Sequence, residues 1–453
     1  MASHITVVGG GPAGIATTLA LIDKGFVVTL IERSDYHDTR VGEHLLPGAL
    51  PYLEQLGLRT TVQNGEHRPC QGVRSAWGDS ALYDNAYIFN SYGNGLNLSR
   101  PSFDKRLAEQ AKQRGATVLI GTSVRSFTQN KDGWLLKLSG DQNNLTLQTH
   151  FIIEATGRKA AVARALKQER IAYDKLVGIV GFLPPLSSNT SVDDSILLEA
   201  CEDGWWYSAQ LFDGTMVAAY MTDADLLSKS SDKPLDFWRK QVEPTTHIKA
   251  RLEEFELATQ VQVKPAQSQR LAKIVGEGWL AVGDAAISFD PLSSGGITKG
   301  LSGGLRAAEA IFSHFNGEAD ALSLYETEIK QAFEDYLSTR ANYYRMEARW
   351  PASPFWQRRH QPLPSEIPVM LDPMSVVFAP KTVQPKQVGL FLQDKMLEID
   401  SDLITQLARQ SKPAHQLVSQ FKTESEHQHD DQEIIIAVQL LLQEGLFMNE
   451  GAK

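Results

Sequence analysis

The N-terminal run His4-Ile5-Thr6-Val7-Val8-Gly9-Gly10-Gly11-Pro12-Ala13-Gly14 constrains this chain more than any other stretch. A short β-rich segment breaks into three consecutive glycines, and a helix-like segment from Ile15 to Lys24 follows. A second apolar strand, Val27 to Ile31, then ends on the acid Glu32. Strand, glycine turn, helix and strand ending in a carboxylate form the βαβ unit that grips a dinucleotide. Gly9 permits the tight turn, Gly11 lets backbone approach a pyrophosphate, and Gly14 lets the helix sit close on the strand. Pro12 and Ala13 complete the loop, and the helix N-terminus turns unpaired N–H groups toward the phosphates. Glu32, 18 positions after Gly14, has the spacing of a carboxylate that holds a ribose hydroxyl, with Arg33 beside it.

Two later segments make the dinucleotide FAD. Phe151 to Glu154 reads as a buried strand that breaks at Ala155-Thr156-Gly157-Arg158. Trp279 to Val282 reads as another, ending in Gly283-Asp284, where the aspartate is placed to bond a ribityl hydroxyl. Asp290-Pro291-Leu292-Ser293-Ser294-Gly295-Gly296-Ile297 then opens a long helix. Its start, from Pro291 through Gly295, Gly296 and Ile297, offers N–H groups and a positive dipole to the flavin pyrimidine edge, which gains negative charge on reduction.

On these residues, together with Val41-Gly42-Glu43 followed by Pro47, and Arg100 with Asp104, the chain resembles the superfamily of FAD-dependent aromatic hydroxylases and flavin-dependent halogenases. The resemblance implies an α/β fold with an α+β second domain: a Rossmann-like FAD-binding domain of the aromatic-hydroxylase type, a β-sheet substrate domain and a helical C-terminal extension. The expected FAD domain is discontinuous, 1–70, 100–168 and 265–345. The substrate domain takes 71–99 and 169–264, and the extension 346–453. The resemblance places Arg100 and Val124 at the pyrophosphate and adenine side and Glu43 near the isoalloxazine. Arg100 reads equally as an ion pair with Asp104.

Halogenases of this superfamily carry a lysine before a strand that ends in Trp-Gly. Aligned on Trp77-Gly78, that position falls on Cys70, and no lysine occurs between Lys24 and Lys105. Their Gly-Trp-x-Trp-x-Ile-Pro segment reads here Gly204-Trp205-Trp206-Tyr207-Ser208-Ala209-Gln210. Both markers are degraded, which favours hydroxylation. The closer resemblance is to flavoproteins that assist cysteine tryptophylquinone formation in quinone-cofactor amine or amino-acid oxidases. It implies an aromatic substrate, a tryptophan of a partner polypeptide. A free phenol or indole, halogenation, and a non-catalytic escort role stay open. So does the electron source, NAD(P)H directly or a separate flavin reductase.

Candidate catalytic residues are Glu43, His44 for substrate orientation or proton transfer, Cys70 for shuttling or redox sensing, and Tyr207 as a pocket wall with Trp205 and Trp206. No metal site is expected, and His427 and His429 sit in a polar acidic run. The net charge of −10 argues against nucleic acid or an anionic membrane as partner. No stretch approaches the ~18 apolar residues of a membrane span. Two cysteines and the absence of a basic, apolar leader point to a reducing cytoplasm.

Overall fold

A computed structural model describes residues 3–63, 66–140, 145–187, 193–360, 376–379, 390–392, 395–397, 401–425, 434–435, 437–438, 441–442 and 447–450. The chain divides into two compact units, Met1–Tyr336 with Glu347–Trp350, and Leu337–Met346 with Pro351–Lys453.

In the first unit, β-branched and apolar runs build a six-stranded sheet. Its order is Val275–Gly276, Trp279–Ala281, Phe151–Glu154, His4–Val8, Val27–Ile31, Thr117–Leu119. All neighbours are parallel except the first pair. Such strands are covered on both faces, which is why they read as near-continuous hydrophobic runs. The register sets Val8 opposite both Ile31 and Glu154, and Glu154 opposite Ala281. One carboxyl edge therefore collects Gly9 to Gly11, Glu32, Ala155 to Gly157 and Gly283-Asp284, the place where open α/β sheets bind ligands.

A seven-stranded sheet follows the order Val261–Pro265, Leu176–Leu183, Met216–Asp223, Gly204–Gln210, Ser195–Cys201, Gly72–Ala76, Tyr83–Ala86. One face buries Trp206, Tyr220, Phe237, Trp238 and Ile248. The other gathers Ile196, Ala209 and Tyr207 with Cys70 and Tyr87. A small sheet of His44–Leu45, Gly95–Leu98 and His67–Cys70 carries the loop around Glu43 toward that second face.

The second unit has its own core, with Val377, Ile404, Leu417 and Phe421 buried together. Besides the helices Ser401–Ala408 and Ala414–Glu424 it contains short strands, Val376–Phe378 paired with Lys412–Pro413 and with Met448–Glu450. The expectation of a mostly helical extension missed these, because a three-residue Val-Val-Phe strand is too short to show a period. His427 and His429 lie outside the described residues. Among the described residues no helix is long and apolar enough to cross a membrane.

Helix Pro12–Asp23 crosses helix Gly296–Phe315 at glycines. A Cβ on Gly304 would sit 2.7 Å from the Ala16 Cβ and 2.8 Å from the Ala13 carbonyl oxygen, whereas one on Gly303 meets nothing nearer than 4.0 Å. Gly304→Ala must push the helices apart and is expected to destabilise by about 1–3 kcal/mol despite the better helix propensity of alanine. Gly303→Ala is expected to be neutral or to gain up to ~1 kcal/mol. Urea unfolding of the two variants checks the contrast.

Candidate functional site

The glycine loop is shaped by close approaches that leave one opening. Gly9 has φ +115°, and a side chain there would strike the Ala155 carbonyl oxygen at 2.2 Å. A Cβ on Gly14 would come within 1.9 Å of the Gly9 carbonyl oxygen. Around Gly11, by contrast, there is nothing within 4 Å. No side chain caps the N-terminus of helix Pro12–Asp23, so first-turn N–H groups remain for an anion.

Glu32 does more than the spacing alone indicates. Its Oε2 accepts the Gly10 N–H at 2.7 Å, and its Oε1 accepts the N–H and hydroxyl of Ser34 at 2.9 and 2.6 Å. Burial opposes its ionisation, but the Ser34 and Gly10 bonds and the Arg40 charge outweigh it and hold the carboxyl below its ordinary range. The Tyr36 hydroxyl donates to the Gly10 carbonyl at 2.9 Å. Arg33 is exposed. Val124 lies on strand Ser123–Asn130, two residues beyond the Thr122 N–H that donates to the Glu32 carbonyl at 2.9 Å.

Arg100 forms the ion pair that was one of its two readings, donating to both Asp104 oxygens at 3.2 and 3.0 Å. It also reaches the Gly42 carbonyl at 2.9 Å and the Val41 carbonyl at 3.3 Å. Arg40 bridges Asp104 and Glu32 at 3.2 and 3.3 Å. The loop that carries Glu43 is thus tied to the glycine loop through charge-assisted bonds.

At the other end of the edge, Asp284 is ringed by cations. Lys299 Nζ donates to it at 2.7 Å and to the Ile287 carbonyl at 2.6 Å, with Arg158 Nε 3.6 Å from the carboxylate. Arg170 donates to the Asp284 carbonyl at 3.2 Å and to the Arg158 carbonyl. Burial works against the charge on Asp284, yet Lys299 and Arg158 keep its carboxyl below the ordinary range. Burial pulls Lys299 down, and Asp284 only partly restores it. Lys299, Arg158 and Arg170 carried no role in the sequence reading. The available signal was that Lys299 is the one charged residue between Pro291 and Leu305. Beyond it, Asp290 caps the Leu292 N–H at 2.9 Å, which holds the Pro291 turn, and Ile297 is buried. Helix Gly296–Phe315 starts without a side-chain cap, Gly296 has open space, and the buried Thr298 hydroxyl has no partner. These openings, with Glu32 at the strand end, fit the two ends of FAD.

The third group surrounds Glu43. It is buried, its Oε2 accepts the Gly42 N–H at 3.0 Å, and Tyr207 hydrogen-bonds its carboxyl. Burial first, and then Glu43, push the Tyr207 phenol well above its ordinary value, so it remains a donor. Strand alternation sends Tyr207 and Trp206 to opposite faces. Trp206 belongs to the core, its indole N–H donating to the Gln241 carbonyl at 3.1 Å, and Trp205 is buried against Trp77. Of the three expected wall residues, only Tyr207 joins Glu43.

His44 and Cys70 are both buried and hydrogen-bonded. Asn97 Nδ2 donates to the Gln210 carbonyl at 3.1 Å, so its Oδ1 accepts from His44 Nδ1–H at 3.3 Å. His44 Nε2 is then an acceptor, and the Tyr87 hydroxyl donates to it at 3.1 Å. Burial takes the imidazole down to about 4. A neutral ring with both nitrogens engaged is a structural link and not a proton carrier near neutrality. Cys70 is fully buried, donates to the Gly72 carbonyl at 3.4 Å and has its thiol pushed up by burial. A buried thiol of this kind packs as a small hydrophobe and does not act as a thiolate.

Known proteins share this arrangement. The family model described as the FAD binding domain matches residues 2–338. The FAD-dependent oxidoreductase LodB of Marinomonas mediterranea is 30% identical over 359 residues, 78% of this chain and 96% of its own. Tryptophan 2-halogenase of Chondromyces crocatus is 25% identical over 368 residues, 77% and 69% of the two chains. Among solved structures, QhpG, a peptidyl tryptophan dihydroxylase essential for tryptophylquinone cofactor biogenesis, matches with a TM-score of 0.68 at 22% identity, covering 98% of this chain and 100% of that one. The myxobacterial chondrochloren halogenase CndH matches at 0.73 and 21% identity, covering 79% and 86%. At these identities the solved structures establish the shared fold.

The neutral state of His44 has a consequence for stability. Between about pH 6.5 and about pH 4 the unfolded chain binds a proton at this residue that the native one does not, so the contribution is intact above that window and is lost as pH falls through it. Relative to a His44→Gln variant, the wild type is expected to lose about 2 kcal/mol more on going from about pH 7 to about pH 5. Paired unfolding titrations at the two pH values measure it.

Proposed function

Because the chain belongs to the family of flavoproteins built on this FAD-binding domain, we propose that it is a monooxygenase that hydroxylates an electron-rich aromatic group, a tryptophan of a partner polypeptide during tryptophylquinone biogenesis. The observation that carries this reading is the composition of the Glu43 site. Tyr207, beside Glu43, packs on a buried apolar cluster of Cys70, Tyr87, Ile196 and Ala209 joined by Leu46 and Leu198, with Cys70 where the related halogenases place a lysine. LodB and the activity named for QhpG support the choice of a peptide-borne tryptophan.

FAD, when bound and reduced, supplies the electrophilic oxygen. One oxygen atom of O2 enters the ring and the other leaves as water, with two electrons taken from NAD(P)H or a separate reductase. Gly9, Gly11, Pro12, Ala13, Gly14, Glu32 and Arg33 would hold the adenosine and pyrophosphate side, with Arg100 and Val124. Asp284 would hold the ribityl chain, and Pro291, Gly295, Gly296 and Ile297 the flavin edge. This chain's own contribution at the reacting end is orientation and dryness. Tyr207 and the Gly42 N–H anchor the Glu43 carboxyl from the protein side. A remaining lone pair of that carboxyl accepts an indole N–H, which raises electron density in the ring and fixes its approach.

The test combines FAD-loaded protein, a reductant, O2 and chloride or bromide with a tryptophan-bearing peptide and, separately, free indole. Mass spectrometry is expected to show a gain of one or two oxygen atoms on the peptide, without dependence on halide. Glu43→Gln is expected to lower that rate about 100-fold. A halogenated product in place of the oxygenated one would overturn the proposal, and so would product from free indole alone.

A further inference from the structure

The rim of the seven-stranded sheet holds a surface that no part of the flavin chemistry uses. Strand Tyr83–Ala86 pairs only with Gly72–Ala76 and lies at the end of the sheet, and all four of its residues are exposed. Among the described residues nothing pairs with its outer edge, so half of its backbone donors and acceptors face outward. The loop that follows exposes Ile88 at 77%, Phe89 at 95% and Tyr92 at 51%. These side chains are held in place. The Tyr87 N–H donates to the Gln71 carbonyl at 2.7 Å, the Asn90 N–H to the Tyr87 carbonyl at 2.8 Å, and the Tyr92 N–H to Asn90 Oδ1 at 3.0 Å.

This loop is wired to the Glu43 site. Tyr87 donates to His44, His44 to Asn97 and Asn97 to the carbonyl of Gln210. Gln210 ends the strand whose turn exposes Phe212 at 59%. The residue next to Glu43 therefore sits in the middle of a bonded chain, and an exposed apolar loop leaves from each end of it. Charge also selects the occupant. No charged residue occurs from Asn85 through Ser99, Asp84 is paired with Arg74 at 2.8 Å, and Asp79 and Asp213 are exposed on the turns that precede the edge strand and carry Phe212. A neutral aromatic surface whose further exposed charges are these two aspartates suits an extended polypeptide with aromatic and basic side chains better than an anionic membrane.

We propose that strand Tyr83–Ala86 and the loop Tyr87–Tyr92, together with Phe212, dock a neutral-to-basic polypeptide in extended form. It adds to the sheet as a further strand and presents its tryptophan to the Glu43 site. This rests on the reading of a peptide-borne substrate and locates where that peptide binds.

The experiment uses the full-length FAD-loaded protein and a labelled, lysine-flanked peptide with one central tryptophan, with binding read by fluorescence anisotropy. The wild type is expected to bind it, and the Ile88→Ser/Phe89→Ser variant to bind at least about tenfold more weakly. The visible spectrum of the bound flavin shows that the variant is folded. The same peptide with alternate backbone nitrogens methylated, which removes strand pairing, is expected to lose binding to the wild type as well. Absence of peptide binding, or binding unchanged by the substitutions or by methylation, overturns the proposal. So does loss of a dimer on substitution, which would assign the patch to a second copy of the chain. Binding to phosphatidylglycerol vesicles that the substitutions abolish would likewise overturn it. Because binding is read without turnover, peptide capture without oxygenation would sink the oxygenase reading and leave the docking surface standing. Oxygenation of the peptide at a rate that neither the substitutions nor methylation change would do the reverse.

Discussion

The crossing of helices Pro12–Asp23 and Gly296–Phe315 sets the spacing on which the cofactor site depends. Gly300 and Gly304 face Ala13, Ala16 and Thr17 with no side chain between the two backbones, so the helices pack as closely as backbone allows. Both helices begin without a side-chain cap, and both starts sit beside carboxyl ends of the parallel sheet. Helix dipoles fall off within a turn, so their effect on a bound anion depends on where those starts are held. A lateral shift of the second helix would move Gly296 and Lys299 together, and with them the charge balance at Asp284.

Two buried carboxylates, at the ends of the two strands that flank His4–Val8, fold the loops that border this edge. Glu32 gathers Gly10 and Ser34, and Glu154 gathers the N–H groups of Thr156, Val162 and Ala163. They differ in electrostatic state. Burial dominates at Glu154 and raises it, whereas at Glu32 the combined bonds and Arg40 prevail. The loop with the lowered carboxyl belongs to the side that would receive the ribose. The other has three backbone N–H groups committed to Glu154, which explains how the Ala155-Thr156-Gly157 turn holds its shape beside Gly9.

How much could be read in advance follows from how local each constraint is. The glycine loop, Glu32 and the Gly283-Asp284 turn were legible because backbone geometry demands those residue types at short range, and the positive φ of Gly9 and Gly283 reports that demand. The Lys299–Asp284 pair spans a turn and a helix start, and only its isolation among neutral residues signalled it. Tyr87 and Asn97 were invisible because their partner His44 lies 43 and 53 residues away. The alternation of Gly204–Gln210 was readable, but which face met Glu43 was not, so Trp206 and Tyr207 looked equivalent. The surroundings of His44 and Cys70 were not legible for one reason: burial at a sheet junction is set by segments distant in sequence.

The polar chain from Tyr87 to Gln210 also shows how this site tolerates buried polar groups. His44 and Asn97 each donate once and accept once between the Tyr87 hydroxyl and the Gln210 carbonyl, so the cost of taking these groups out of water is offset along the chain. Ionisation of either titratable link is disfavoured by the same burial, which pushes Tyr87 up and His44 down. Such a chain makes a poor proton wire and a good brace. It fixes His44, and therefore the neighbouring Glu43, to two strands that belong to different sheets. Orientation of a neutral aromatic ring requires that rigidity more than it requires a titrating group, because the oxidising power resides in the cofactor. The same brace carries the exposed loops at its two ends, so those loops and the carboxyl are positioned by one set of bonds.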